Sequence, residues 1–313
     1  MQQGGAGVPL RVLYRSYGGT NMKGRPEYFD KVRCLTSLLR AAERVDAQIT
    51  FINNGPVPEH LVRLMRSAGE IVELPGLRMP KSFQAALEQA TASDWPDEQI
   101  VWYSEDDYLY RPDAFERLME LAAAAPAVDY FGLYAGTPAH QLPREPLPPD
   151  GTPRAWAGSA PVVVDGQEWV QVRNTTASFG ARLGALRADE GIFRLCALPH
   201  RNMFRDQDIW RVAQGYAPYT YRSLLRDAVG LSGETPRQRL REAVMVPFRV
   251  ATNLRSHRRP GRRGHPRVRH GHRASLLQFA GIPGGKGAPH AVQHGRRHAR
   301  RRLGRLILFG LSR

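Results

Sequence analysis

The sequence predicts an α/β fold, with a mostly parallel sheet flanked by helices and a basic C-terminal tail that we expect to be disordered. Short apolar runs alternate with amphipathic stretches from residue 10 to about residue 135, a spacing typical of βαβ units with right-handed crossovers. Hydrophobic residues make up 42% of the chain, which is a globular composition. Its 313 residues are enough for one large or two ordinary domains.

Five apolar runs in the first part of the chain are predicted strands: Leu10–Tyr14, Ile49–Ile52, Ile71–Leu74, Ile100–Tyr103 and Val128–Tyr134. Proline and serine residues suited to a helix start mark the helices between them: Pro26, Pro58, Ser82 and Pro112. Because each strand is followed by a helix, consecutive strands are expected to run in the same direction.

The rest of the chain is less regular. Residues 138–161 are rich in Pro and Gly, which predicts a long surface loop. Three further elements are predicted after it: a strand over Glu168–Val172, a strand leading into a helix over Thr175–Arg187, and a helix over Asp206–Ala213. Past Gly230 the pattern degrades. We therefore divide the chain into a domain over residues 8–230 and a poorly patterned basic region over residues 231–313.

Positive charge is concentrated in the tail. The chain carries 45 Lys and Arg against 29 Asp and Glu, a formal net charge of +16. Sixteen of those basic residues and no acidic residue lie between Arg255 and Arg313, so the first 254 residues hold 29 of each sign. A nucleic-acid-binding fold is therefore not indicated by the body of the chain, and no specific nucleic-acid partner is expected.

Three interpretations of this tail stay open. Arg-rich, acid-free sequence is typical of a disordered segment or of an arm that binds polyanions. The same excess of Arg, Gly, His, Pro and Ala is also typical of GC-rich DNA translated out of frame. A periodic, acid-containing alternative frame after about residue 253 would identify the third case.

Cysteine use and hydropathy indicate a cytoplasmic protein. Cys34 and Cys196 form neither a disulfide framework nor a metal-ligand spacing, and Met1–Pro9 has no features of a signal peptide. No run reaches the roughly 18 apolar residues of a membrane span. Leu306–Phe309 lies beside the Arg run, so weak contact of the tail with the inner face of a membrane is a further expectation.

Polar side chains follow three of the predicted strands at their carboxyl ends. Arg15 follows the first strand, Asn53 and Asn54 the second, and Glu105–Asp107 the fourth. Ligands of open α/β sheets bind at this edge. Adjacent carboxylates repel one another unless a cation compensates them, and Mg²⁺ or Mn²⁺ with oxygen ligands is a common compensator. The alternative is a solvated acidic turn before a helix, where negative charge is favourable.

The segment Trp102–Tyr108, an apolar strand ending in an acidic triplet, resembles the D-x-D region of GT-A glycosyltransferases, particularly family-2-like enzymes that use nucleotide-diphospho-sugars. Other segments agree with that family in order along the chain: Arg15–Lys31, Ile49–Pro56, Lys81–Phe83, Thr175–Arg182 and Arg205–Arg211. The resemblance covers about residues 10–225. It implies a nucleotide-binding sheet of GT-A type.

The resemblance implies hexosyl-type transfer from a nucleotide-diphospho-sugar to an acceptor hydroxyl, metal-assisted and with inversion. The acceptor is not identified: a glycan, a lipid-linked molecule and a small molecule all fit. Asp107, assisted by Glu105, would hold Mn²⁺ or Mg²⁺. Donor contacts would come from six residues: Arg15, Arg25, Asn53, Asn54, Ser82 and Asp106. Asp206 would take the acceptor proton, with Asp208 as the second candidate.

The chain departs from the family at three places, one of which is the loop Ala135–His140 after the fifth strand, which lacks carboxylates altogether. Asn53 and Asn54 stand where a family carboxylate accepts the uracil N3–H, and Arg205 replaces a family Glu beside Asp206. Asp206 can also be explained as a helix cap, and the basic residues near the first strand as solvated surface charge.

Two other functions remain open at this point. A nucleotidyltransferase would need a glycine-rich phosphate loop, of which Tyr17–Thr20 is only a weak version. A polyanion-binding or membrane-surface protein would act through the tail.

Overall fold

The computed structural model describes residues 9–19, 29–133, 162–171, 175, 178–197, 205–215, 217–257 and 276–279. The strands within these ranges are β1 (Arg11–Ser16), β2 (Gln48–Asn54), β3 (Glu70–Leu74), β4 (Ile100–Glu105), β5 (Tyr130–Gly132), β6 (Val162–Val164), β7 (Gln167–Gln171), β8 (Phe179–Arg182) and β9 (Leu276–Phe279). The helices are α1 (Lys31–Glu43), α2 (Glu59–Ala68), α3 (Met79–Thr91), α4 (Ala114–Ala124), α5 (Leu183–Cys196), α6 (Asp206–Ala213), α7 (Tyr221–Ala228), α8 (Pro236–Val244) and α9 (Val246–His257).

All the described strands join one sheet, in the order β3-β2-β1-β4-β8-β5-β9-β7-β6. The strands β3, β2, β1 and β4 pair in parallel, and β8 runs antiparallel between β4 and β5. Among the six neighbouring strands β3-β2-β1-β4-β8-β5, only β8 therefore runs in the opposite direction. The prediction of an α/β fold with a mostly parallel sheet flanked by helices is confirmed.

Apolar packing covers both faces of the sheet. On one face, Leu35 of α1 and Phe115 of α4 are fully buried in one cluster. On the other face, Phe83 of α3, Phe193 of α5 and Trp210 of α6 belong to a second cluster. Strands buried on both faces read as continuous apolar runs, which is why the sequence identified β1, β2 and β4 so directly.

Helix starts differ from the prediction in detail. Ser82 is not a cap: α3 begins at Met79, with Pro80 in its first turn, because proline is favoured there. The Ser82 hydroxyl instead donates to the Met79 carbonyl at 3.0 Å. In α1, Asp30 is the cap and accepts a hydrogen bond from the Val32 N–H at 2.9 Å. Pro26 and the loop predicted over residues 138–161 lie outside the described residues.

Helical structure continues past Gly230. A capping box between Thr235 and Gln238 starts α8. The helix α9 packs against α5, α6 and α7. Its buried side chains include Thr252, Asn253 and Ser256, so the buried side of α9 carries no apolar period for the sequence to show. None of the helices in the described ranges is both long and apolar enough to cross a membrane.

Candidate functional site

A cleft of about 430 Å³ opens at the carboxyl edge of β1, β2 and β4, walled on one side by the loop after β3 and the start of α3. Its lining contains six of the residues that the sequence assigned to a site: Arg15, Asn54, Ser82, Glu105, Asp106 and Asp107. The parallel register places Arg15 opposite Glu105. Residues far apart in the sequence therefore meet because their strands end together.

Arg15 compensates the charge of Glu105. The Arg15 guanidinium forms an ion pair with the Glu105 carboxylate, in which both side chains are mostly buried. Arg15 Nη1 also donates to Ser82 Oγ at 3.1 Å, and the guanidinium lies 5.6 Å from the centre of the Phe83 ring. The Glu105 backbone N–H donates to Ser178 Oγ at 3.0 Å. The end of β4 is thus held from both sides.

Lys31 compensates Asp106. Lys31 Nζ donates to Asp106 Oδ2 at 2.7 Å, and the Tyr17 backbone N–H donates to the same oxygen at 3.0 Å. Lys31 Nζ also donates to the Gly19 carbonyl at 3.0 Å. Glu105 and Asp106 therefore each have a cation of this chain as partner. These cations partly neutralise the repulsion that the sequence predicts between the adjacent carboxylates, without a metal.

Packing requires glycine at Gly18, in the turn after β1. A Cβ at Gly18 would meet the Pro56 carbonyl oxygen at 1.4 Å, so only glycine fits where this turn crosses the end of β2. The need for glycine at this position has a steric cause that is independent of phosphate binding.

The turn that carries Asp107 is anchored below the cleft. Tyr110 is buried, accepts a hydrogen bond from Trp102 Nε1 at 2.9 Å and shares another with Ser104 Oγ at 2.7 Å. Burial raises the pKa of the Tyr110 hydroxyl, and the nearby charge of Asp107 adds to that rise. Asp107 itself lines the cleft.

A divalent metal could be held in this cleft jointly by protein carboxylates and a bound phosphate. Within the described ranges, no group of three or more His, Cys, Asp or Glu side chains is arranged to hold a metal ion. Mg²⁺ is often bound by one or two carboxylates together with substrate phosphates. Asp107 lines the cleft and could be one such carboxylate, and Glu105 would have to exchange Arg15 for the metal. The metal assignment of both residues stays a prediction.

Both asparagines are committed to contacts within the protein. Ser16 Oγ donates to Asn53 Oδ1 at 2.6 Å, and Asn53 Nδ2 donates to Glu73 Oε1 at 3.1 Å. Asn54 pairs with Leu77 twice: its Nδ2 donates to the Leu77 carbonyl at 2.7 Å and its Oδ1 accepts from the Leu77 N–H at 2.6 Å. The side chain of Asn54 therefore holds the loop after β3, which the sequence analysis did not place in the site.

The structure describes the side chain of only one of the two candidate bases, Asp206 and Asp208. Asp206 is the first residue of α6, and its side chain lies outside what the structure describes, as does Arg25. Asp208 accepts a hydrogen bond from the Tyr219 hydroxyl, and its carboxylate lies 3.6 Å from Arg205 Nη1. Burial raises the pKa of Asp208 above its ordinary value. Asp208 thus belongs to a packed interface between helices.

Sequence reasoning missed part of the cleft wall. Gly76, Leu77 and Met79 line the cleft, and Gly76 has a φ of +73° that favours glycine. The Pro75–Gly76 dipeptide marks a turn and Pro80 a helix start, and these were the available signals.

No protein-family model matches the sequence, and no curated protein matches it. Among solved structures, the chain is similar to S. aureus TarS, with 12% identity and a TM-score of 0.43 over 81% of this chain and 44% of that chain. The structure of TarS 1–349 in complex with UDP is similar at 10% identity and a TM-score of 0.42, over 80% of this chain and 89% of that one. A mycobacterial protein is similar over 41% of each chain, with 13% identity and a TM-score of 0.28. The chain spans less than half the length of the TarS chain in the first of these, and no activity follows from similarities of this size.

Proposed function

We propose that this chain is a glycosyltransferase that takes a sugar from a nucleotide-diphospho-sugar bound in the cleft. The observation that supports it is the cleft itself. It collects, at the carboxyl edge of parallel strands where ligands of such sheets bind, four of the six residues that resemble family donor contacts; of the other two, Asn53 is buried in β2 and Arg25 lies outside the described residues. The two carboxylates that resemble the metal ligands line the same cleft.

The diphosphate of the donor would be bound by cations already present at the cleft. Arg15 lines the cleft and pairs with Glu105 at the end of β4, and Lys31 pairs with Asp106, which lines the cleft. Arg and Lys bind phosphate oxygens through charge-assisted hydrogen bonds. An incoming diphosphate can therefore compete with Glu105 and Asp106 for these two cations.

Asp107 would hold Mg²⁺ or Mn²⁺ together with the diphosphate, and the bound ion would neutralise the charge that develops on the leaving group. Asp206 would accept the proton of the acceptor hydroxyl. The helix of Asp206 packs on the strand β8 and through it on β4: the rings of Trp210 and Phe179 are 4.6 Å apart, and the Phe179 ring stacks on Tyr103 of β4 at 4.8 Å.

The specific features of the reaction belong to the same proposal. Hexosyl transfer with inversion at the anomeric carbon would be tested by the anomeric configuration of the product. A cytoplasmic location agrees with the two buried free thiols, Cys34 and Cys196.

The test is a thermal-shift panel of UDP, GDP, ADP and their sugar conjugates, with and without Mn²⁺. A ligand present at 100 times its Kd stabilises the folded chain by about 2.7 kcal/mol, so a true donor should raise the Tm clearly. The matching nucleoside monophosphates are the control, because they lack the diphosphate that Arg15 and Lys31 would bind. No shift with any diphosphate would refute the proposal, and turnover of a nucleoside triphosphate would instead identify a nucleotidyltransferase.

A further inference from the structure

Exposed apolar side chains are concentrated at one end of the described chain. Of the twelve large apolar side chains that are exposed within the described ranges, nine lie between Tyr221 and Leu254. Scattered exposed apolar residues are normal, but a concentration of them marks an interaction surface.

The apolar residues of α7 form a stripe on its outer face. Tyr221, Leu225 and Val229 are spaced four residues apart and are 81%, 65% and 58% exposed. Residues at this spacing share one face of a helix. The inner face of the helix carries Leu224 and Asp227, which are both buried. The helix therefore has one packed side and an apolar side that faces outward.

The neighbouring helix α8 also exposes apolar side chains. Leu240 and Val244 are four residues apart and both more than half exposed, as is Leu231 in the connection from α7. None of the residues of α8 is buried. We refer to the exposed side chains of α7, α8 and their connection as the α7–α8 surface.

Arginines flank the apolar stripe. Arg222 and Arg226 lie beside it on α7, and Arg237 and Arg239 are exposed on α8. The acidic residues of these helices turn inward: Asp227 and Glu242 both pair with Arg249 of α9. The inward pairing leaves Glu234 as the exposed acidic residue from Tyr221 to Val244. The α7–α8 surface is thus both apolar and strongly positive.

We propose that the α7–α8 surface binds a lipid bilayer that contains anionic headgroups. An interfacial helix inserts apolar side chains between headgroups while Arg or Lys residues contact lipid phosphates. A lipid bilayer would therefore contact both the apolar stripe and the arginines of the surface. In a two-fold dimer each copy presents the same patch, so arginines would face arginines, and a nucleic acid would leave the apolar stripe uncovered.

The test measures flotation of the full chain with two kinds of vesicle, phosphatidylcholine alone and an equal mixture with phosphatidylglycerol. The apolar variant carries Leu225→Ser and Leu240→Ser. Its control is Val163→Ser, an equally exposed apolar residue on β6. The charge variant carries Arg222→Gln and Arg226→Gln, with Arg63→Gln and Arg66→Gln on α2 as its control. Every protein has the same tail, so differences between them report the α7–α8 surface.

The apolar variant should lower the vesicle partition coefficient by about tenfold or more, since burial of a leucine side chain is worth at least that factor. The charge variant should weaken binding only to the anionic vesicles, and high salt should remove its effect. Both controls should float like the wild type. Because the changed side chains are exposed, both variants should have the same Tm as their controls. If the serine substitutions lower the Tm, the charge variant still gives an independent result.

Two outcomes would overturn the proposal. In the first, both variants float as well as the wild type, which would assign any lipid binding to the tail. In the second, the wild type is a dimer that the apolar variant converts to a monomer, which would show that a second copy covers the surface.

Discussion

Arg–carboxylate pairs occur in two regions of the molecule with similar burial but different surroundings. In the cleft, Arg15 pairs with Glu105, with exposed side-chain fractions of 11% and 29%. Between the C-terminal helices, Arg249 pairs with Glu242 at 16% for each, and also with Asp227. The cleft pair borders open space that a ligand can enter, whereas the Arg249 pairs are enclosed by helices. Burial alone does not separate an exchangeable ion pair from a structural one.

The Arg249 pairs belong to a network that joins α6 to α9. The Arg249 guanidinium lies 5.3 Å from the centre of the Tyr219 ring, and the Tyr219 hydroxyl donates to Asp208 of α6. Asn253 of α9 bonds both the N–H and the carbonyl of Tyr219, at 3.2 and 2.7 Å. We therefore expect substitutions in this network to change folding stability and substitutions in the cleft to change ligand binding.

The largest expected effect distinguishes Asp206 from Asp208. Asp206→Asn should lower the transfer rate by about 10²–10⁴-fold, because Asn cannot accept the acceptor proton, while donor affinity stays within a factor of a few. Asp208→Asn should change transfer much less, since Tyr219 can still donate to the new amide oxygen. Steady-state rates of both variants check this. A larger loss at Asp208 would move the base into the helix network, and a silent Asp206→Asn would leave Asp206 as a first-turn residue of α6 with no part in proton transfer.

Arg249→Met should destabilise the fold by about 3 kcal/mol, because it leaves Asp227 and Glu242 mostly buried without their shared cation. Urea unfolding measures this effect. Arg63→Met is the control: Arg63 is an exposed residue of α2, and its loss should stay within about 0.5 kcal/mol. The folded Arg249→Met protein should bind donor like the wild type. Weakened binding without lost stability would contradict the division between the two regions.

Asp107→Ala should weaken Mn²⁺-dependent binding of a nucleoside diphosphate by at least about tenfold, or ~1.4 kcal/mol, with the Tm unchanged. Calorimetric titration with and without Mn²⁺ measures the difference. Asp94→Ala, in the exposed connection after α3, is the matched control. Equal affinity of Asp107→Ala and the wild type in Mn²⁺ would end the metal assignment.

The smallest expected effect concerns pH. Partial burial alone would raise the pKa of Glu242, but hydrogen bonds from Arg241 and Arg249 lower it below the ordinary 4.5. Its ion pairs therefore contribute stability above pH 4.5 and lose it as the pH falls through the lowered pKa. Glu242→Gln should remove about 1 kcal/mol or less at neutral pH and nothing in strong acid.

Unfolding curves of Glu242→Gln and the wild type across this pH range check that prediction. The stability contributed by Asp208 should depend on pH in the opposite direction. Burial raises its pKa above the ordinary 3.8, so its contribution is complete below pH 3.8 and falls as the pH rises through the raised pKa. For Glu242, a difference in stability between Glu242→Gln and the wild type that grows on acidification would contradict the stabilising role of its ion pairs.

The sequence predicted the residues of the cleft better than it predicted the C-terminal helices. Arg15, Glu105 and Asp107 could be placed because each follows a continuous apolar run that ends at the same edge of the sheet. The partner of Asp106 could not be found, because Lys31 reaches it across 75 positions of sequence. In α9 the buried side chains at Thr252, Asn253 and Ser256 are polar and the exposed ones at Val250 and Leu254 are apolar, which reverses the pattern from which helices are recognised.

The tail also begins later than its composition suggests. Acidic residues are absent from Arg255 onward, but α9 continues to His257 and Ser256 is fully buried. A truncation after Asn253 would remove the last turn of a packed helix. Truncation after His257 is the cleaner separation of tail from helices.

Asn54 has a consequence for the kinetics of ligand entry. Its amide pairs with the N–H and carbonyl of Leu77 as a backbone unit of a neighbouring strand would, so the hydrogen-bond ladder of the sheet continues into the loop that walls the cleft. That wall is formed before a ligand arrives, and little ordering is needed on binding. Donor association should therefore follow a single exponential phase whose rate rises linearly with concentration, without the plateau that a closing loop would impose.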